Sequence, residues 1–210
     1  MRGSILQPTY LPWSGYFEMI DATDTFVIYD HVQFVRNSWQ KRNKIKSAAG
    51  IIQLSLPVKK APRNAPIYEI EISYDRSNPL LEHWKTIQHE YQKAPFFENY
   101  CEDFDKIYQK KYELLRDLNV EIIQTICKII GIKTTFVYAS DLNIDDENLG
   151  KSERVINLCK KAGLSYLYDA KGAESFLDVS MFEKENLEIK FQNYQPTHYP
   201  QLYNDHVEYL

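Results

Sequence analysis

The residue types best suited to binding and catalysis lie close together near the start of the chain. Segment 7–16 directly follows Ile5-Leu6, a short apolar run that predicts a strand, and it is rich in aromatic and polar side chains. In open α/β sheets, ligands bind beyond the carboxyl ends of strands, where the free N–H groups of a helix suit phosphate. An ordinary proline-stiffened crossover is the structural alternative. We interpret the segment as the wall of a binding pocket formed by Gln7, Pro8, Tyr10, Trp13, Gly15 and Tyr16.

Two titratable side chains follow the next predicted strand. The apolar, β-branched run 25–29 is typical of a buried strand, and Asp30 and His31 come directly after it. Asp30 is the first candidate for a general base, because it ends a strand whose neighbour leads into segment 7–16. His31 is the second candidate, although a single histidine is more often structural. Tyr16 completes the predicted catalytic set.

Segment 37–46 combines four basic residues with one tryptophan. Arginine binds phosphate in a bidentate manner, lysine contributes a point charge, and a flat aromatic ring can stack on a base or a sugar. About half of these side chains can face one pocket if the segment is extended, because side chains alternate along a strand. The alternative is a solvated basic loop. The predicted anion-binding residues are Trp39, Arg42, Asn43 and Lys46.

A second candidate anion site lies at the predicted start of a helix, after an acidic loop. Ser152 can cap this helix, and Arg154 can reach an anion at its N-terminus. A plain helix start with solvated charges explains the same residues. Both interpretations stay open at the level of sequence.

Composition restricts the function classes. The chain has 210 residues, a net charge of −4 and a pI of about 5.8, which argues against broad nucleic-acid binding. No apolar run approaches the roughly 20 residues of a membrane span. No metal-ligand spacing is present, and the sequence identifies no cofactor. We therefore expect a cytoplasmic protein with a small-molecule partner, no nucleic acid and no membrane insertion, and we leave a homo-oligomer open.

The pattern of predicted elements indicates an α/β fold. A strand, a tight loop, a helix from Ser14 and a second strand fit within about 30 residues, which implies a parallel crossover. Segment 78–131 is helical, beginning with the cap pair Asn78-Pro79 and ending at Gly131. Two further strands are predicted at 51–56 and 67–73, before this helical segment. After it, strands and helices alternate from 134 to 191. The prediction is a single domain, 1–210, with a Rossmann-like parallel sheet core and 78–131 as a helical insert.

Segment 7–16 resembles the corresponding loop of the nucleotidylyl-transferase superfamily, in particular pantothenate synthetase. The resemblance rests on the strand, Pro8-Thr9, a pattern around Gly15, and a second strand leading into Gln33-Phe34. It adds Gln33 to the predicted binding residues. The superfamily signature His-x-Gly-His holds ATP phosphates with its imidazoles, whereas this chain has segment 13–16 (WSGY) and lacks both histidines.

A closer resemblance, to the WbqC-like family, covers nearly the whole chain. One departure is Lys41, which stands where the family usually has asparagine. The residues that carry the resemblance occur in this order: 7–17 (QPTYLPWSGYF), 30–34 (DHVQF), 38–43 (SWQKRN), 91–97 (YQKAPFF), 151–154 (KSER) and 199–201 (YPQ).

Genes of this family often lie with those for bacterial O-antigen and surface polysaccharides. The resemblance implies a transferase of glycan assembly that moves an acyl or aminoacyl group to the amine of a nucleotide-linked amino sugar. An ATP-dependent amide ligase or nucleotidylyl transferase with altered phosphate ligands is the first alternative. A non-catalytic nucleotide- or sugar-binding protein of the same pathway is the second.

Overall fold

The structure is a computed structural model that describes residues 1–146, 148–203 and 206–208. Its strands and helices agree with the predicted order except at two segments: Arg42–Ser47, a strand where the sequence indicated only a basic stretch, and 67–73, where a strand was predicted. In chain order they are β1 (Arg2–Leu6), α1 (Ser14–Asp21), β2 (Thr25–Ile28), β3 (Arg42–Ser47), β4 (Gly50–Ser55), α2 (Pro79–Tyr91), α3 (Phe97–Tyr108), α4 (Leu115–Ile130), β5 (Thr135–Tyr138), α5 (Lys151–Lys161), β6 (Tyr166–Asp169), α6 (Val179–Lys184) and β7 (Glu188–Phe191).

The chain forms two compact units. Unit 1 contains Met1–Gln7, Gly15–His31 and Ile132–Gln195, and unit 2 contains Pro8–Ser14, Val32–Gly131 and Pro196–Leu210. Unit 2 therefore includes the predicted helical insert 78–131 and further residues on both sides of it. The interpretation of the chain as a single domain stays a prediction.

Unit 1 confirms the predicted α/β class. Its five strands are all parallel and lie in the order β5-β2-β1-β6-β7. Ile5, Val27 and Leu167 share one face of the sheet and pack against α5. On the other face, the Ser4 hydroxyl donates to the Met19 carbonyl of α1. Helices on both faces bury the sheet, as a parallel sheet requires.

Unit 2 combines an antiparallel hairpin, β3–β4, with helices α2, α3 and α4. The Asn78 side chain accepts hydrogen bonds from the Leu80 and Leu81 N–H groups, which confirms the predicted cap of α2. Gly131 ends α4 in the left-handed conformation with φ 82°, as predicted.

The strand predicted at 67–73 is wrong. Ile67–Glu69 forms a turn of 3₁₀ helix, and the residues after it make only isolated bridges. In a 3₁₀ helix, side chains three apart lie on the same side, and this spacing buries both Ile67 and Ile70. The alternation of apolar and polar residues in this segment indicated a strand, but the segment pairs with neighbouring residues only at isolated bridges.

No helix in the described parts of the chain has both the length and the apolar character needed to cross a membrane.

Candidate functional site

The carboxyl edge of the parallel sheet in unit 1 collects polar side chains from several strands. Because parallel strands end at the same edge, residues that follow different strands meet there. These residues are Gln7 after β1, Asp30 and His31 after β2, Ser140 after β5, Asp169 at the end of β6 and Gln192 after β7.

Asp30 is completely buried, and both of its carboxylate oxygens accept hydrogen bonds from Ser140. The Ser140 backbone N–H lies 2.9 Å from Oδ1, and the Ser140 hydroxyl lies 2.8 Å from Oδ2. Asp30 therefore ties the chain after β2 to the chain after β5. Its oxygens are occupied by protein donors, which makes it a weaker candidate for proton transfer than its neighbour.

His31 pairs with a carboxylate at this edge. Its Nε2 lies 3.1 Å from Oδ2 of Asp146, and the edge of its ring meets Tyr29 at 5.1 Å between ring centres. Its Nδ1 is shielded from solvent and has no hydrogen-bond partner among the residues that the structure describes. A carboxylate on one nitrogen fixes the tautomer and leaves a lone pair on the other.

Arg154 lies beside the same carboxylate. Its Nε donates to the Asp146 carbonyl at 3.2 Å and lies 3.9 Å from the Asp146 carboxylate. The side chain is 39% exposed, so part of it is accessible to an anion. Ser152 is nearly buried, and its hydroxyl accepts the Asp178 N–H at 2.9 Å, so it braces α6 against α5.

Sequence reasoning missed three residues of this cluster, namely Tyr29, Asp146 and Asp169. Burial, with smaller contributions from Asp146 and Asp169 and an opposing one from Arg154, raises the pKa of Tyr29 to about 12, so each of these three charged groups lies within electrostatic reach of Tyr29. Burial also raises the pKa of the Asp169 carboxyl to about 6. A carboxylate at the end of the predicted strand 165–168 was the available signal for Asp169.

The remaining predicted residues of unit 1 have structural contacts. The Tyr16 hydroxyl donates to the Gln7 carbonyl at 3.1 Å, which fixes α1 to the end of β1. The Gly15 carbonyl accepts a hydrogen bond from Nε2 of Gln192 at 2.7 Å. Tyr16 packs against Phe26 and is 4% exposed, so it belongs to the core.

Tyr10, Trp13 and Pro8 lie in unit 2. Tyr10 has no exposed surface, and its hydroxyl bonds to Tyr108 at 2.8 Å and to Nδ1 of His83 at 2.9 Å. Burial raises the pKa of Tyr10 and lowers that of His83 to about 4. Tyr10 and the neighbouring aromatic Phe34 are core residues, whereas Trp13 is exposed. The aromatic pocket wall expected from the sequence is thus partly a core.

The structure brings the predicted basic stretch close to this loop within unit 2. The Tyr10 N–H donates to the Trp39 carbonyl at 2.9 Å, and the Asn43 amide donates to the Tyr10 carbonyl at 3.1 Å and to that of Leu11. The Trp39 side chain is 50% exposed, and its ring faces the Lys44 ammonium at 6.0 Å. The Trp39 ring and the Lys44 ammonium are therefore exposed next to each other, whereas the Asn43 side chain is used to hold the loop that contains Tyr10.

Three other predicted binding residues of unit 2 contact protein groups. Arg42 donates to the Asn37 carbonyl at 2.7 Å, and Gln33 donates to the Arg63 carbonyl at 2.8 Å. Lys46 is 7% exposed, and its ammonium lies 3.3 Å from Oε1 of Gln201.

Asn119 of α4 was not predicted, although it organises this region. It is fully buried, and its amide donates to the Pro8 carbonyl at 3.1 Å and to the Gln40 carbonyl at 2.7 Å. One side chain thus holds both the loop that begins at Pro8 and the basic stretch. A polar residue within the apolar pattern of α4 was its sequence signal.

The residues that the structure describes contain no group of three or more His, Cys, Asp and Glu side chains placed to hold a metal ion.

Comparison with known proteins gives one family and one relative. Residues 7–210 match the model of the WbqC-like protein family. The chain is 30% identical over 193 residues to the uncharacterized protein Rv1507c of Mycobacterium tuberculosis, which covers 91% of this chain and 81% of the relative. No solved structure shows a significant match.

Proposed function

Because the chain belongs to the WbqC-like protein family, we propose that it is an enzyme of bacterial surface-glycan biosynthesis. It transfers an acyl or aminoacyl group from an activated donor, a thioester or an ester, to the amine of a nucleotide-linked amino sugar. The reaction forms a C–N bond, breaks the bond between the acyl carbon and its leaving group, and requires a base for the amine proton.

The observation that carries this proposal is the His31–Asp146 pair at the carboxyl edge of the sheet. With Asp146 accepting the Nε2 proton, Nδ1 of His31 is the atom that takes the amine proton as the nitrogen attacks. A buried polar atom without a partner costs about 1–3 kcal/mol, and a donor group of the bound substrate would remove this cost.

Arg154 supports the nucleotide part of the proposal. Its guanidinium is anchored on Asp146, and the side chain is partly exposed at the start of α5. A planar guanidinium next to a helix N-terminus is suited to a phosphate group. One residue, Asp146, therefore positions both the proposed base and the proposed phosphate ligand.

The first test is a thermal-shift screen against nucleotides and nucleotide sugars, with Arg154→Gln and the matched control Lys161→Gln. A ligand at 100 times its Kd stabilises the native state by about 2.7 kcal/mol. We expect this shift in the wild type and the control and a weaker one in Arg154→Gln. The absence of a shift with every nucleotide contradicts the proposal.

The second part of this test separates binding from catalysis. His31→Gln retains an N–H that can face Asp146, and we expect ligand binding to persist while amide formation falls by about 100-fold or more. Binding without amide formation in the wild type would favour the non-catalytic alternative. Exchange of labelled pyrophosphate into ATP would favour the ligase alternative.

A further inference from the structure

In the sheet of unit 1, backbone pairing between the central strands β1 and β6 stops short of the carboxyl edge, and this unpaired stretch is the opening between β1 and β6. β1 pairs with β2 along four residues, from Gly3↔Thr25 to Leu6↔Ile28, but it pairs with β6 only at Arg2↔Tyr166 and Gly3↔Leu167. Beyond these pairs, the Ser4 hydroxyl donates to the Tyr168 carbonyl at 2.7 Å. β1 and β6 are thus no longer paired by their backbones towards the carboxyl edge.

This opening coincides with the reversal of strand order. β2 and β5 lie on one side of β1, and β6 and β7 lie on the other. The connections from β1 and from β5 therefore leave the sheet in opposite directions. In open α/β sheets, a reversal of strand order leaves a crevice beyond the carboxyl ends of the strands, and ligands generally bind in this crevice.

Asp169 ends β6 at this opening. The residue is 7% exposed, and its Oδ1 accepts the Ala170 N–H at 2.7 Å. Its Oδ2 has no hydrogen-bond partner within the described ranges 1–146, 148–203 and 206–208. Oδ2 is not among the fully buried atoms without a partner in the described part of the chain, so it keeps contact with solvent and can accept a hydrogen bond from a ligand.

The protein supplies no cation to Asp169 from the residues that the structure describes. Its electrostatic neighbours include the Cys159 thiol and the Tyr29 phenol, and the pKa of each is raised to about 12 by burial, so both are neutral at physiological pH. Arg154, the cation that acts on Tyr29, lies against Asp146. One negative charge of the cluster is therefore left without a counterpart.

We propose that Asp169 binds a protonated primary amine of the ligand in the opening between β1 and β6. An ammonium group supplies the missing charge and a donor for Oδ2, which a neutral hydroxyl supplies only in part. This inference rests on the proposed function and deepens it, because it assigns the acceptor amine to a particular subsite. Asp169 holds the ammonium, which loses one proton to solvent before its nitrogen can attack; His31 then takes the remaining amine proton and passes it to the leaving group.

The experiment uses the full chain with D-glucosamine and D-glucose, and therefore requires no knowledge of the nucleotide. At pH 6.5, the amide signal of Ala170 is followed by ¹H–¹⁵N NMR during titration with each sugar. We expect glucosamine to shift this signal and to bind at least about 10-fold more tightly than glucose. No shift with glucosamine up to about 100 mM, or equal affinities for the two sugars, overturns the proposal.

Asp169→Asn tests the assignment, and Asp141→Asn is the matched control on an exposed carboxylate of the same unit. The asparagine keeps an oxygen that can accept the Ala170 N–H, so the local fold is retained. We expect the preference for glucosamine to disappear in Asp169→Asn and to persist in Asp141→Asn. A preference that survives in Asp169→Asn overturns the proposal.

The two proposals fail separately. One outcome is a thermal shift with nucleotides that depends on Arg154, together with equal responses of the Ala170 signal to glucosamine and glucose. This outcome leaves the proposed function standing and removes the amine subsite. Selective binding of glucosamine without any nucleotide response removes the proposed function and leaves the amine subsite standing.

Discussion

At the scale of single residues, neighbouring carboxylates of one sheet edge differ in how they are satisfied. Asp30 accepts two hydrogen bonds from Ser140, whereas Asp169 accepts one from Ala170. Asp146 binds His31 and lies next to Arg154. The number of unoccupied acceptor sites, and not the residue type, distinguishes a structural carboxylate from one available to a ligand.

Asp169→Asn is expected to stabilise the protein at neutral pH. Burial raises the pKa of the folded carboxyl to about 6 from its ordinary value of 3.8. Between these values the unfolded chain has released a proton that the folded chain retains, so wild-type stability falls as pH rises from about 4 to about 6 and is level above. The variant lacks this loss of stability, so its free energy of unfolding at pH 7 is expected to be higher by on the order of 3 kcal/mol.

Urea unfolding from pH 4 to pH 7.5 measures this gain. The difference between Asp169→Asn and the wild type is expected to shrink towards pH 4, while Asp141→Asn follows the wild type throughout. A difference that does not change with pH would show that the Asp169 carboxyl has an ordinary pKa. Greater stability without the carboxylate is the behaviour expected of a residue kept for binding.

At the scale of elements, α4 positions two segments that are distant in sequence. The amide of Asn119 donates to the Pro8 and Gln40 carbonyls in a site without solvent exposure. The Asn43 amide of β3 donates to the Tyr10 carbonyl in the loop that begins at Pro8. A helix and a hairpin thus fix the loop that the sequence indicated as a pocket wall.

Asn119→Asp should destabilise unit 2 by about 3 kcal/mol. The substitution keeps the shape of the side chain but removes both donors and places a carboxylate against two carbonyl oxygens in a buried site. Chemical denaturation followed by tyrosine and tryptophan fluorescence measures the loss. Asn99→Asp, on the exposed side of α3, is the matched control and is expected to change stability by less than about 0.5 kcal/mol. Equal effects of the two variants would contradict the role assigned to Asn119.

At the scale of the whole molecule, net charge determines how the chain interacts with polyanions, whatever the location of its functional site. A charge of −4 repels polyanions at long range, although Trp39 and Lys44 are exposed together on unit 2. Small anions can still bind locally, because screening confines each charge to about 8 Å at physiological salt.

The chain is therefore not expected to bind duplex DNA. Fluorescence anisotropy of a labelled duplex should stay constant up to about 10 µM protein at roughly 150 mM salt. Binding in this range that weakens with added salt would show that the basic stretch is a polyanion site. Lys44→Gln would then reduce the binding, and Lys161→Gln would leave it unchanged.

The sequence determined the order of the elements and the fold class, because both depend on local patterns. The cap pair Asn78-Pro79 and the left-handed Gly131 are each encoded within a few residues, and the parallel crossover from β1 to β2 is encoded within about 30. The strand expected at 67–73 was wrong because strand formation needs a partner that no local pattern supplies.

Only the tertiary structure decided which polar and aromatic residues have free surface. Tyr10 looked like part of a pocket wall, but it is buried against Tyr108 and His83, both more than 70 residues away in sequence. Asp146 and Asp169 were passed over, and they meet His31, Arg154 and Tyr29 because separate parallel strands and loops end at one edge. Burial and hydrogen-bond saturation depend on contacts between distant segments, and residue type and spacing do not encode those contacts.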